Sequence, residues 1–133
     1  MTKQYTVADI IAISRHWIQE KYGDRADFVG AHLVGSLHHM PRDTVFPSYR
    51  DIDLAIVLDS ITEQDIDDAE YEGLLLEAIL VPKSRYTDVE RMLSDACNAS
   101  IFASVDNILL DPRSELIPIA EQVSAQYSQK KWM

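Results

Sequence analysis

The sequence is short of cysteine, of positive charge and of long apolar runs, and each shortage removes a class of protein. A single cysteine, Cys97, leaves no intramolecular disulfide and no thiolate cage for structural zinc, which fits a reducing compartment. Only 12 lysines and arginines stand against 22 acidic residues, a net charge of -10. Such a surface repels nucleic-acid phosphates and anionic lipid headgroups, so general nucleic-acid binding and membrane binding are not expected, while cationic partners are compatible. No apolar stretch approaches the roughly 18 residues of a membrane span. The longest, Leu74 to Val81, is interrupted by Glu77. The opening residues place Asp9 inside the apolar run from Val7 to Ile11 and offer no small-residue cleavage site, unlike a secretory signal, so the expected location is cytoplasmic. There is no internal repeat, low-complexity tract or linker.

What is present reads as one globular domain over residues 1–133, since hydrophobic residues make up 47% and charged residues 26% of the chain. Val7, Ile10, Ile11, Ile13, Trp17 and Ile18 recur mostly at helical spacing, with Thr6 as N-cap and Gly23 beyond the end, and predict a helix over Val7 to Tyr22. Phe28 to Val34 reads as a strand that stops at Gly35-Ser36. Leu37 to Arg50, with Pro41 and Pro47, reads as a loop, and Asp51 to Leu58 as a buried strand with acids only at its entrance. Thr62 to Tyr71, acidic with Ile66 and Ala69 inside it, predicts a surface helix. Leu74 to Val81 predicts another strand, closed by Pro82. The Thr87-to-Glu90 spacing predicts a short helix to about Asp95, by the capping-box rule. Ile108 to Leu110 reads as a last strand ended by Asp111-Pro112, and Ser114 to Lys130 as a final helix. The expected fold is α/β (α+β): a small mixed, twisted sheet from the Phe28, Ile52, Leu74 and Ile108 segments, covered by the helices at Val7 and Ser114.

In a strand alternate side chains share a face, so Asp51 and Asp53 project together while Ile52 and Leu54 point to the core. Two carboxylates side by side at the mouth of an apolar strand repel each other unless a cation lies between them. Magnesium suits such a pair, because it takes carboxylates from one side and phosphate oxygens and water from the other. The plainer alternative makes Asp51 a strand-entry residue and Asp53 a solvent-facing one. A third acid, Glu77, sits within an apolar strand, where it either joins the aspartates from a neighbouring strand or faces water from a sheet edge. Gly35 and Ser36 can bring backbone N–H groups and a hydroxyl close to phosphate oxygens. The spacing from Gly30 to Gly35-Ser36 is not a P-loop, because the required lysine is absent.

Taken in order, Leu33-Val34-Gly35-Ser36, a loop, Asp51-Ile52-Asp53-Leu54 and a later acid-bearing strand resemble the nucleotidyltransferase superfamily that includes DNA polymerase beta. Ile108-Leu109-Leu110-Asp111-Pro112, followed by a helix, is similar to the end of the catalytic domain in aminoglycoside and other antibiotic nucleotidyltransferases. The resemblance runs from about Phe28 to the C-terminus. It implies transfer of a nucleoside monophosphate from a nucleoside triphosphate, ATP by default, to a hydroxyl acceptor, with pyrophosphate leaving. It further implies that Gly35 and Ser36 hold the β and γ phosphates and that Asp51 and Asp53 ligate magnesium, as two ions. Glu77 would be a further metal ligand or the base for the acceptor's proton. Two features depart from the family: the loop before Asp51 is long, with Arg50 where a serine usually stands, and the usual C-terminal helical acceptor domain is expected to be absent. A homodimer or a separate helical partner would then complete the site.

Other candidates reduce to ordinary roles. His38 and His39 read as solvent-exposed, His16 as helix-surface and His32 as core. Asp65, Asp67, Asp68 and Glu70 lack the glycine and terminal glutamate of a calcium loop and read as a solvated helix. Lys83 and Arg85 could approach a triphosphate or cap the surface. Cys97 lacks an activating base in its sequence neighbourhood, and Trp17, Phe102, Tyr127 and Trp132 read as packing residues. Three functions follow: an antibiotic-modifying enzyme acting on a polycationic small-molecule acceptor, a minimal nucleotidyltransferase modifying a partner protein of the toxin–antitoxin type, or a nucleotide- or partner-binding remnant without catalysis.

Overall fold

The computed structural model describes residues 4–34, 40–46, 51–87, 89–94 and 104–131. Thr6 opens the first helix, α1 (Val7–Tyr22): its hydroxyl accepts from the Asp9 N–H, and the Asp9 carboxylate accepts from the Thr6 N–H. Strands β1 (Phe28–Leu33), β2 (Ile52–Leu58), β3 (Asp65–Tyr71), β4 (Leu74–Pro82) and β5 (Ile108–Leu110) form one sheet in the order β3-β4-β2-β1-β5. β1 runs antiparallel to β2 and β5, β3 antiparallel to β4, and β2 parallel to β4. A short helix α2 (Val89–Ser94) follows β4 and a 3-10 turn over Lys83–Tyr86, and the final helix is α3 (Leu116–Lys131). The mixed sheet with helices on both faces is the α+β architecture expected from the sequence.

Strand alternation divides the core in two. Ala31, Leu33, Ile52, Leu54, Ile56 and Leu58 pack with the buried stripe of α1, including Ile10, Trp17 and Ile18. On the other face Val29, Ala55, Val57 and Val81 pack against Met92 of α2 and Leu116, Ala120 and Val123 of α3. Gly30 permits that second layer. A side chain there would meet Leu116 Cδ1 at 2.5 Å and the Leu110 carbonyl at 2.6 Å, so the glycine is explained by close packing. Asp111 does more than end β5: its carboxylate accepts from the N–H groups of Glu115, Leu116 and Ile117 and so caps α3. Arg15 of α1 donates to the Leu109 carbonyl at 2.9 Å, tying the helix to β5.

The acidic stretch predicted as a helix is instead the edge strand β3, over Asp65–Tyr71. Its half-buried Asp67, Ala69 and Tyr71 alternate with exposed Ile66, Asp68 and Glu70, which is the period of a strand. A two-residue turn, Glu72-Gly73, closes the hairpin with both residues at positive φ, 55° and 77°, matching the right-handed twist of the paired strands. Asp67 then reaches α1, pairing with Lys21 at 2.7 Å and accepting from the Tyr22 hydroxyl. Tertiary pairing with β4 overrides the weak helical pattern. Among the described residues no helix is long and apolar enough to cross a membrane.

His32 lies within the second core layer. Its Nδ1 is 2.9 Å from the Leu33 carbonyl, which can only accept, so Nδ1 carries the proton. Nε2 then accepts from the Tyr86 hydroxyl at 2.8 Å. Burial pushes the imidazole pKa down from 6.5 to about 4. The unfolded chain therefore binds a proton at a higher pH than the folded one, and stability falls as pH drops from 6.5 to 4. The expected loss is about 3 kcal/mol. Urea unfolding at pH 7 and pH 4.5 checks this: His32→Gln should flatten that part of the profile, and an equal slope in both proteins would refute the assignment. The turn is tested separately. A side chain at Gly73 meets nothing within 4 Å, so only its φ matters; Gly73→Ala should cost about 1 kcal/mol in thermal unfolding.

Candidate carboxylate site

The hairpin turn, the start of β4 and the start of β2 meet at one end of the sheet, and their register fixes which side chains adjoin. Asp53 stands opposite Glu77, and Glu77 opposite Asp68. Three acids on three adjacent strands thus form one cross-strand row on one face. The next row toward the turn pairs Leu75 with Glu70, and Asp51 immediately precedes β2 on the same side. The row behind is apolar, Ile66 opposite Ile79 and Ile79 opposite Ala55. An open cavity of about 370 Å³ is lined by Asp51, Asp68, Glu70, Leu75 and Glu77 with parts of Ala69 and Leu76.

The sequence placed Asp51, Asp53 and Glu77 as candidates, and the fold brings them together. Glu77 faces the aspartates through parallel pairing with β2, and it occupies an interior strand. Its carboxyl is held above its ordinary range, first by a hydrogen bond with Asp53, then by the charge of Asp53, partial burial, and the charges of Asp68 and Asp51. Asp68 and Glu70, dismissed with a solvated helix, belong to this cluster. The signal that locates them is the Glu72-Gly73 pair, which reverses the chain and lays one acidic strand beside the Glu77 strand.

Other sequence candidates fall elsewhere. Lys83 pairs with Glu115 at 2.7 Å and Arg85 donates to Gln64, both beyond the opposite end of β4, so each has a surface role. His16 is exposed and pairs with Glu20, while Trp17 packs edge-on against Tyr22. Gly35, Ser36, His38, His39, Arg50, Cys97, Phe102 and Trp132 lie outside the described residues.

Among the described residues no three His, Cys, Asp or Glu side chains form a ready-made metal site. Magnesium does not require one, since it keeps several waters and draws one or two carboxylates from the protein. The donor set fits it: hard oxygens, crowded enough that Glu77 retains its proton more tightly than usual. Because folded Glu77 holds its proton to higher pH than the unfolded chain does, stability declines as pH rises through that interval. Glu77→Gln is therefore expected to raise the thermal midpoint at pH 7 and low ionic strength, with the gain shrinking on acidification or added salt. A lowered midpoint under those conditions would mean that the carboxylates do not crowd one another.

No protein-family model matches the sequence, and no curated protein matches it. Among solved structures, the chain is similar to the crystal structure of a nucleotidyltransferase-like protein from Exiguobacterium sibiricum 255-15, with a TM-score of 0.59 and 17% identity. The alignment covers 86% of this chain and 38% of that one, so this chain spans well under half of that protein's length. At this identity the likeness concerns the fold, and the fold is nucleotidyltransferase-like.

Proposed function

We propose that the protein is a metal-dependent nucleotidyltransferase that moves a nucleoside monophosphate from ATP to a hydroxyl acceptor. The observation that carries this reading is the row Asp53, Glu77 and Asp68 beside Asp51, at one end of a sheet of nucleotidyltransferase-like fold. Asp51 and Asp53 would hold magnesium, with Glu77 as a further ligand or as base. Magnesium, when bound, supplies positive charge that offsets the phosphate oxygens and the leaving pyrophosphate.

The chain's own residues supply the rest. Gly35 and Ser36 follow β1 in sequence and would bind the β and γ phosphates. Since β1 and β4 flank β2 on opposite sides, the triphosphate and the acceptor would approach Asp53 from opposite sides. The acceptor then lies over β4 and β3, and orientation of the two reactants accounts for much of the acceleration. As the acceptor oxygen bonds the α-phosphorus, the bond to pyrophosphate breaks, and the hydroxyl proton passes to Glu77 where it serves as base, or to water where it serves as a metal ligand. Asp68 and Glu70 line the acceptor side, which suits a cationic hydroxyl compound of the aminoglycoside kind.

A second reading has its own support. Ile66 and Leu75 flank the carboxylate row and remain 60% and 52% exposed, an apolar border that suits a protein acceptor as in toxin–antitoxin pairs.

Calorimetric titration of ATP with and without magnesium, followed by pyrophosphate release with aminoglycoside and protein acceptors, tests both. Asp53→Asn should lower transfer at least about a hundredfold, since even outer-shell partners of metal ligands cost ten- to a hundredfold. Magnesium-dependent binding with no release would identify a nucleotide-binding remnant; no such binding by the folded protein would overturn the proposal.

A further inference from the structure

The sheet face that carries the row of carboxylates also holds a buried polar tie that the proposed chemistry leaves unused. His32 lies on β1 opposite Ala55 of β2, two residues from Asp53 along that strand. Both positions share the sheet face that carries Asp53 and Glu77. The Val34 N–H, two residues beyond His32, donates to the Asp53 carbonyl at 3.2 Å. Tyr86 ends the 3-10 turn that follows β4, the strand of Glu77. The hydrogen bond from the Tyr86 hydroxyl to His32 Nε2, 2.8 Å long, therefore joins the β1 side of Asp53 to the chain leaving the Glu77 strand, across β2. Ala55 offers only a methyl group at the crossing point, and the imidazole and phenol rings meet edge-on with centroids 5.6 Å apart. Both side chains are buried, and the second imidazole nitrogen is committed to the Leu33 carbonyl, so the ring has one orientation.

The geometry points to His32 and Tyr86 as positioning residues for nucleotide and metal binding, holding β1, β2 and β4 so that Asp53 and Glu77 keep the separation a bound cation requires. This rests on the nucleotidyltransferase reading above. A merely structural pair would change stability alone; a positioning pair changes ligand affinity in protein that remains folded.

The test is calorimetric titration of magnesium-ATP into wild type, Tyr86→Phe, His32→Leu and His32→Gln, beside thermal unfolding of each. Tyr86→Phe keeps the ring and loses only the hydroxyl, so it decides the matter if His32→Leu does not fold. Tyr86→Phe and His32→Leu should weaken binding about tenfold while still unfolding cooperatively, the lower end of what outer-shell partners contribute. His32→Gln, which retains an acceptor for Tyr86, should stay within about threefold of wild type by the same scale. Folded Tyr86→Phe with wild-type affinity would overturn the inference, as would a lowered midpoint with no change in affinity. Failure of wild type itself to bind magnesium-ATP would remove the nucleotidyltransferase reading and this inference with it; normal wild-type binding with an indifferent Tyr86→Phe would remove this inference alone.

Discussion

Parallel pairing of β2 with β4 is the constraint on which the rest of the structure depends. It sets Asp53 against Glu77 and places Ala55 beside Ile79 directly behind them. Because strand side chains alternate with a period of two, a slip of one residue would send Glu77 into the α1 layer and Ala78 out to the carboxylates. Register is secured by the apolar partners on the opposite face, Leu54, Ile56, Leu76 and Ala78, all buried. Part of the energy that fixes the register of the acids therefore comes from side chains pointing away from them.

Parallel neighbours need a long connection, and a helix is the common solution. Here the connection is another strand. After β2 the chain passes beyond the position of β4, returns as β3, turns at Glu72-Gly73 and comes back as β4 between the two. That route brings the hairpin tip to the carboxylate end of the sheet. It also explains why Asp68 and Glu70, nine and seven residues before Glu77 in the sequence, stand beside its strand rather than on a separate surface element.

Most of the fold was legible in the sequence. The Thr6 cap, the helical stripe of α1 and the apolar runs of β1, β2 and β4 each carry a local signal that tertiary structure preserves. The stretch from Thr62 to Tyr71 was not, because its few apolar residues fit either period and the Glu72-Gly73 reversal lies just outside it. For the site, Asp51, Asp53 and Glu77 were legible because a charge within or at the mouth of an apolar strand is costly and so conspicuous. Asp68 looked like one acid among many; only pairing across β4 distinguishes it. The tie between His32 and Tyr86 was invisible for a related reason, since the two residues are 54 positions apart and neither carries a motif.

Among the described residues no strand pairs with the outer side of β3, which carries Asp65, Asp67, Asp68 and Glu70 within seven residues. A free edge of that length is a template for another strand. Two copies meeting there would bring their carboxylates together, so like charge limits the growth of the sheet. The acids beside the proposed site thus have a second consequence: their like charge opposes pairing of two copies through this edge. Any change of charge at Asp68 or Glu70 alters the proposed site and that repulsion together, which ties the chemistry available to this surface to the behaviour of the sheet edge.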